Sequence, residues 1–259
     1  LKKAIKKEFV TVNGELASTA TFIRGGETIC LAISKEILSQ KKLILPLDVL
    51  FEDEYLAVIH KPAGILVSGN RFKTIANALP QNLRPSKLLD ATIPKPVHRL
   101  DYGTTGVLLV GKASSSIQAL NQLFADKVIE KTYYAVTIGE MKERGEITSD
   151  IEGKEARSHY RLIDSVPSPK FGQLNLLELK PQTGRRHQLR IHLSANGNPI
   201  LGDKTYGTEG LILNGQGLYL HAWSLSFVHP FTGEKVCFID ELPQRFRNIF
   251  PDFSAVVKK

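Results

Sequence analysis

The chain has 259 residues, of which 42% are apolar and 23% charged, an ordinary globular composition with room for one large domain or two unequal ones. No apolar run approaches the length of a membrane span, and no hydrophobic signal core follows the basic opening Leu1-Lys2-Lys3-Ala4-Ile5-Lys6-Lys7. Its 34 Lys and Arg against 26 Asp and Glu leave a net charge of +8, which favours a polyanionic partner, nucleic acid ahead of an anionic membrane surface.

In chain order, residues 1–33 read as a small unit. Ala4 to Lys7 closes a basic helix, Phe9 to Val12 alternates as a strand, Asn13-Gly14 signals a hairpin turn, and Gly25-Gly26 precedes a strand over Thr28 to Ile33. Residues 34–47 read as a linker, and 48–259 as the large domain. Its opening has a short strand at Leu56 to Ile59 and a sharp turn at Lys61-Pro62-Ala63-Gly64. Residues 68–96 read as a polar, Pro-rich loop with one helical turn at Ile75 to Leu79.

His98-Arg99-Leu100-Asp101-Tyr102-Gly103-Thr104-Thr105-Gly106 then leads into Val107 to Val110, a buried strand that can hold Asp101 at a cleft. Ser114 is placed to cap a helix to about Lys127, with Ile117, Leu120, Leu123, Phe124 and Val128 as its apolar face. Strands follow at Tyr133 to Ile138, Tyr160 to Val166 and Leu174 to Lys180, with charged surface hairpins between Arg144 and Ser158. A helix over 187–195 stops at Asn196-Gly197, and strands at Tyr219 to Val228 and Val236 to Ile239 close the pattern. Strands arriving in runs predict an α+β fold: a mixed, largely antiparallel β-sheet core with flanking helices.

Two distant cysteines, Cys30 and Cys237, make neither a zinc framework nor a disulfide scaffold; their apolar neighbours predict buried thiols in a reducing cytoplasm. The missing initiator Met predicts that the natural chain begins earlier. There is no Walker loop, dinucleotide fingerprint or G-x-S-x-G elbow, and His187 and His192 are five apart, an awkward spacing for two helical metal ligands.

Between Lys180 and Lys204 there are five Lys or Arg and one acid, Asp203. If the helix includes Arg186, it and Arg190 share a face at i,i+4, and the paired cations want an anion nearby. Thr183-Gly184 at the helix entry could turn backbone N–H groups to the same anion. Tyr133 and Tyr134 point to opposite faces of their strand, one towards the core and one towards the cleft.

Together these segments resemble the RluA-type pseudouridine synthases. Lys61-Pro62-Ala63-Gly64 is similar to the family's first motif, and HRLDYGTTG at 98–106 to its catalytic motif HRLDxxTSG. Lys131-Thr132-Tyr133-Tyr134-Ala135 is similar to K-x-Y-x-A, and PQTGRRHQLRIH at 181–192 to the third motif. Gly202-Asp203-Lys204-Thr205-Tyr206-Gly207 and Leu220-His221-Ala222 complete the order. Thr105 stands where Ser is usual and Arg186 where a smaller residue is common. The first unit resembles part of the small RNA-binding module named after the fourth small-subunit ribosomal protein.

The resemblance implies isomerisation of uridine to pseudouridine in RNA, ribosomal RNA ahead of transfer RNA, by a cytoplasmic monomer with no obligate protein partner. It implies neither metal nor organic cofactor. Asp101 would be the catalytic carboxylate, Arg190 its partner and Tyr133 a ring stacked on the base. Leu189 would lie on the other face of the base, and Arg99 would fill the space left by the flipped nucleotide. His98, Thr104, Arg185, Arg186 and His187 would complete the RNA contacts. Two other readings stand beside it. A catalytically idle RNA-binding protein needs the same basic surface without an intact Asp101–Tyr133–Arg190 set. A glycoside hydrolase needs a second carboxylate near Asp101; PQTGRRHQLRIH contains none, which makes an Arg the expected partner, but an acid distant in sequence could fold close, and a structure with no second carboxylate within about 10 Å of Asp101 would close this reading.

Overall fold

A computed structural model describes residues 2–32 and 43–253, and the chain divides into two units, 1–42 and 43–259. In the first, helix α1 (Lys2–Lys6) precedes strands β1 (Val10–Val12), β2 (Glu15–Leu16) and β3 (Ile29–Leu31), which form an antiparallel sheet in the order β2-β1-β3. Asn13 and Gly14, at φ 52° and 89°, supply the two left-handed residues of a tight hairpin between β1 and β2. The expectation of a buried Cys30 is overturned: it lies on edge strand β3, whose three residues are all exposed. Most of the expected linker, residues 34–42, lies outside the described residues.

The second unit contains β4 (Val49–Glu52), β5 (Leu56–Lys61), α2 (Ile75–Asn82), β6 (Ala91–Pro96), β7 (Thr105–Ala113), α3 (Ser114–Ala125) and β8 (Glu130–Ile138). It continues with β9 (Arg144–Thr148), β10 (Arg157–Ser168), β11 (Gly172–Pro181), α4 (Gln188–Ala195), β12 (Leu220–Val228), β13 (Lys235–Ile239) and α5 (Gln244–Arg247). The ten strands make one sheet in the order β4-β5-β7-β12-β8-β11-β10-β9, with β6 beside β7 and β13 beside β12. Every ladder is antiparallel except β7–β12, a short parallel pair joining Thr105 to His221 and Gly106 to Ala222. The observed class is the mixed, largely antiparallel α+β sheet with flanking helices.

All nine residues of β7 are buried, and their alternation sorts them into two cores. Leu108 and Val110 pack with Ala57, Ile59 and the inner face of α2, while Val107 and Leu109 pack with Leu56, Val58, Leu120 of α3 and Phe227. Each such side chain contributes roughly 1.5–3 kcal/mol on burial, so β7 is the rigid mount behind the 98–106 loop. A third core joins β8, β11 and α4 through Val136, Leu177, Leu179, Leu189 and Leu193.

Several local expectations change. The loop over 68–96 holds an eight-residue helix, α2, and a strand, β6. Pro80 argues against α2, but Thr74 Oγ1 accepts the Asn77 N–H at one end. At the other, Asn82 Nδ2 donates to the Ala78 and Leu45 carbonyls and Oδ1 accepts the Leu47 N–H, which ties residues 43–47 to the helix. Pro94 and Pro96 hide β6, which tolerates them because its ladder is irregular and it pairs only with β7. Ser114 is the first helical residue and not the cap of α3. Asp90 takes up the exposed ends, accepting the Ser114 N–H on its carbonyl and the Ser115 N–H on its carboxylate. Val128 is exposed beyond the left-handed Lys127. Cys237 is also exposed, on the outward-facing alternation of edge strand β13.

Candidate active site

Asp101 is held by its own loop, by the Lys61 turn and by α4. The Thr104 N–H closes onto the Asp101 carbonyl at 3.1 Å, and the Gly64 N–H donates to the Tyr102 carbonyl at 2.8 Å. Lys61, the last residue of β5, is fully buried, and its ammonium donates to the Pro62, Tyr102 and Thr104 carbonyls at 2.9, 3.4 and 2.8 Å. One cation thus staples the Lys61–Gly64 turn to the Asp101 loop. Burial pulls its pKa down to about 8, and the Asp101 charge works the other way.

The loop enters β7 through Gly106, at φ 118°, where any Cβ would overlap the Ala222 carbonyl. Its neighbour Thr105 donates from Oγ1 to Nδ1 of His221 at 2.8 Å, while His221 Nε2 faces the Asp240 carbonyl at 3.0 Å. Burial lowers the His221 pKa to about 4, so the ring is neutral and this pairing assigns its proton to Nε2. Thr in place of Ser keeps the hydroxyl this contact uses.

On the other side, α4 begins at Gln188, after His187 in a left-handed conformation at φ 55°. Arg186 therefore lies before the helix, and the expected i,i+4 pairing with Arg190 does not form. Around the expected anion cradle at Thr183-Gly184, part of the polar equipment is used internally. Gln188 Oε1 accepts the Thr183 hydroxyl and the Arg185 N–H, and Gln188 Nε2 reaches the Arg157 carbonyl and Ser158 Oγ on β10.

Arg190 answers to two carboxylates. Its Nε and Nη2 form a bidentate pair with Asp203 at 2.7 and 2.8 Å, and its Nη1 reaches Asp101 Oδ2 at 3.4 Å. Burial opposes the guanidinium charge, and the two acids more than offset it, so its pKa is raised. The guanidinium carbon also sits 5.0 Å over the ring of Tyr206. Distance alone does not close the glycoside-hydrolase reading, because a second acid, Asp203, shares the guanidinium that reaches Asp101. Asp203 is nonetheless held in its ionised form. Burial alone would raise its pKa, but Arg190 and the Thr205 and Tyr206 amides hold the carboxyl below the usual range. The glycosidase pattern of a proton-bearing carboxyl opposite a carboxylate is therefore absent from this pair.

His187 addresses the remaining oxygen of Asp101, with Nε2 3.8 Å from Oδ1 and Nδ1 3.0 Å from the Tyr206 hydroxyl. Burial lowers its pKa, opposed by the Asp101 charge. His192 faces the interior instead, against Ser158 Oγ. On β8, Tyr134 turns inward, edge-on to Trp223 and Phe253, while Tyr133 turns to the cavity. Burial first, and Asp101 second, push the Tyr133 phenol well above its usual range, so it keeps its proton.

These side chains surround one cavity of about 440 Å³. It brings together all ten residues singled out in the sequence: Asp101, Tyr133 and Arg190, with Arg99, Leu189, His98, Thr104, Arg185, Arg186 and His187. His98 is the least available of them. Its Nε2 accepts the Leu109 N–H, its ring stacks on Phe124, and burial lowers its pKa to about 3, so it is a neutral wall. The Thr104 hydroxyl is buried and has no hydrogen-bond partner among the described residues. Arg185 donates from Nε to the Glu155 carbonyl, while Arg99 and Arg186 are exposed and have no carboxylate partner among those identified in the described residues.

Sequence reasoning missed the tasks of Lys61, Asp203 and Tyr206. The available signal was a single acid within a basic run, which Arg190 was bound to seek. Among the described residues no cluster of three or more His, Cys, Asp or Glu is placed to hold a metal ion, and no helix is long and apolar enough to cross a membrane.

Comparison with known proteins gives one answer. The model of the RNA pseudouridylate synthase family matches residues 55–195. An uncharacterized RNA pseudouridine synthase of Aquifex aeolicus is 33% identical over 96% of this chain and 87% of its own length. The ribosomal large subunit pseudouridine synthase D of Zymomonas mobilis is 34% identical, covering 80% of this chain and 72% of the relative. Among solved structures, human RNA pseudouridylate synthase domain containing 4 superposes with a TM-score of 0.61 at 26% identity, over 77% of this chain and 90% of that one.

Proposed function

The chain belongs to the RNA pseudouridylate synthase family, isomerases of uridine, and on that premise we propose that it converts a uridine of large-subunit ribosomal RNA with Asp101 as the catalytic carboxylate. The observation that carries the assignment is the meeting of Asp101, Arg190, Tyr133 and Leu189 on one 440 Å³ cavity, a size suited to a flipped base and its ribose.

Base and sugar exchange one bond for another. The N1–C1′ bond breaks, C1′ joins C5, and the proton lost from C5 is balanced by one gained at N1. No electrons enter or leave, and no water is consumed. Asp101 stands where these bonds change, aimed by Arg190 through Oδ2 and by the Lys61 staple through its loop. Arg190 can serve because Asp203 already balances its charge through Nε and Nη2, leaving Nη1 for the catalytic acid. Tyr133 and Leu189 take the two faces of the uracil. Since the phenol keeps its proton, Tyr133 enters as a stacking ring and hydrogen-bond donor rather than as a phenolate base. The Thr104 hydroxyl is the free polar group of the wall, ready for a polar edge of the base.

Extruding the nucleotide costs a few kcal/mol, and stacking returns about 1–3 kcal/mol per base. Arg99, exposed at the mouth, fills the gap in the RNA stack. Arg186 grips phosphate, and the basic first unit, with Lys2, Lys6 and Lys7, adds a second grip. Acting on ribosomal RNA, the enzyme works in the cytoplasm.

Two measurements test this. Wild type should release tritium from RNA labelled at C5 of uracil, and Asp101→Asn should lower release by about 10³-fold or more while still binding RNA; robust turnover by Asp101→Asn overturns the role of Asp101. Mapping pseudouridine in total RNA with and without the protein should reveal a protein-dependent site in the large-subunit RNA. A site confined to transfer RNA overturns the substrate.

A further inference from the structure

The isomerisation uses one cavity, yet Asp101 borders two. The second, of about 720 Å³, shares Arg99, Leu100, Asp101, Arg186, His187 and Arg190 with the first. Its other walls come from different segments: the Lys61–Gly64 turn and the residues after it, the Gly202–Thr205 segment, and Leu218. Nothing in the reaction as described employs this space. Its volume lies within the range of about 300–1,000 Å³ seen for small-ligand sites.

Its lining has a definite chemistry. Leu66, Val67 and Leu218 make an apolar floor, and Val67 and Leu218 are almost fully buried. Tyr102 stands at the edge with 56% of its surface exposed, a large aromatic left to solvent beside a concave site. Its backbone is fixed, since its carbonyl accepts the Gly64 N–H and the Lys61 ammonium, while its hydroxyl comes within 3.9 Å of where a Gly64 Cβ would stand. Three exposed cations, Arg99, Arg186 and Lys204, stand around the rim, and none forms an identified ion pair among the described residues. An apolar floor, a free aromatic ring and a cationic rim are the parts of a single-stranded nucleic-acid subsite, where bases stack and phosphates meet cations. The rim continues into the first cavity through Arg99 and Arg186, as a strand passing from one nucleotide to the next requires.

We propose that the second cavity binds a nucleotide flanking the target uridine in the same RNA strand, with Tyr102 as its stacking platform and Lys204 at its phosphate. This rests on the reading of the first cavity as the uridine site. Tyr102 occupies a position that the motif HRLDxxTSG leaves open, so it acts on the choice of uridine rather than on the chemistry. The neighbour is held mainly through the face of its base, so the subsite selects RNA whose neighbouring base can leave its stack.

The test uses the full chain and synthetic stem-loops built around the mapped uridine. One has both flanking nucleotides intact, one is abasic on the 5′ side and one abasic on the 3′ side. On intact RNA, Tyr102→Ala should lower kcat/KM about tenfold or more, and Tyr102→Phe should retain it. On one of the two abasic RNAs, wild type and Tyr102→Ala should become equal. An equal loss from Tyr102→Ala on all three RNAs, or no loss on any, overturns the subsite while wild-type turnover leaves the uridine site intact. Absence of pseudouridine with wild type on every RNA overturns the reading of the first cavity and this one with it.

Discussion

Asp101 is governed by two buried cations that work in opposite ways. Lys61 directs its ammonium to backbone carbonyls and fixes where the loop lies; Arg190 directs its guanidinium to carboxylates and fixes where the charge points. Burial depresses the Lys61 pKa because carbonyl dipoles replace water only in part, whereas Arg190 has an acid as close partner and its pKa rises. A buried cation paired with dipoles is therefore a shape device sensitive to pH, and one paired with an acid is a charge device that is not.

Arg190→Met gives the strongest test of that contrast. It strands Asp203 in the interior, so thermal or urea unfolding should show a loss of about 3–5 kcal/mol, together with loss of tritium release. Adding Asp203→Asn should recover part of the stability and none of the activity; recovery of activity would show that Arg190 serves Asp203 alone. Lys61→Met should come next, at about 2 kcal/mol, because it leaves several buried carbonyls without their donor. Its turnover should fall much less than that of Arg190→Met, and an equal fall would erase the division between shape and charge.

The pH response sharpens the same point. The Lys61 pKa is about 8 in the folded chain and roughly 10.4 in the unfolded one. Between those values the unfolded state binds more protons, so the Lys61 contribution to stability rises as pH climbs from about 8 to 10.4. The ammonium staple weakens over the same interval. Wild type should therefore lose turnover above pH 8 while this residue adds to its unfolding free energy, and Lys61→Met should lack both slopes. The smallest effect belongs to the exposed rim. Arg186→Gln should leave unfolding unchanged and reduce the salt dependence of RNA binding by about one phosphate contact. A changed unfolding midpoint would mean that Arg186 belongs with the buried pair.

The Asp101 loop was legible in the sequence because its determinants are local: a carboxylate, a Gly-Thr turn and an apolar run within a dozen residues. Tyr133 and Tyr134 were legible for the same reason, through strand alternation. Asp203 was visible as a lone acid, but its partnership with Arg190 depends on the segment after α4 folding back beneath the helix, which no spacing announces. Arg186 was wrongly placed on the helix because His187 takes a left-handed conformation that residue type does not signal. The two thiols were misjudged because apolar neighbours in sequence do not decide which face of an edge strand is buried, and both cysteines stand on exposed positions. Helix α2 and strand β6 were hidden by prolines whose effect was offset by distant partners.

The place of β12 between β7 and β8 has a consequence for the chain's birth on the ribosome. The strand that welds the two halves of the sheet is synthesised after both strands it joins, and Gly106 must wait for Ala222 before it meets its neighbour. Until then β7 has one edge only partly covered, by β6, and the cavity around Asp101 lacks Leu220, part of its wall. Pairings this distant in sequence close slowly, and open edges invite aggregation meanwhile. The growing chain thus carries Asp101 in an open cleft until β12 emerges, and it acquires a finished cleft only when the sheet becomes whole.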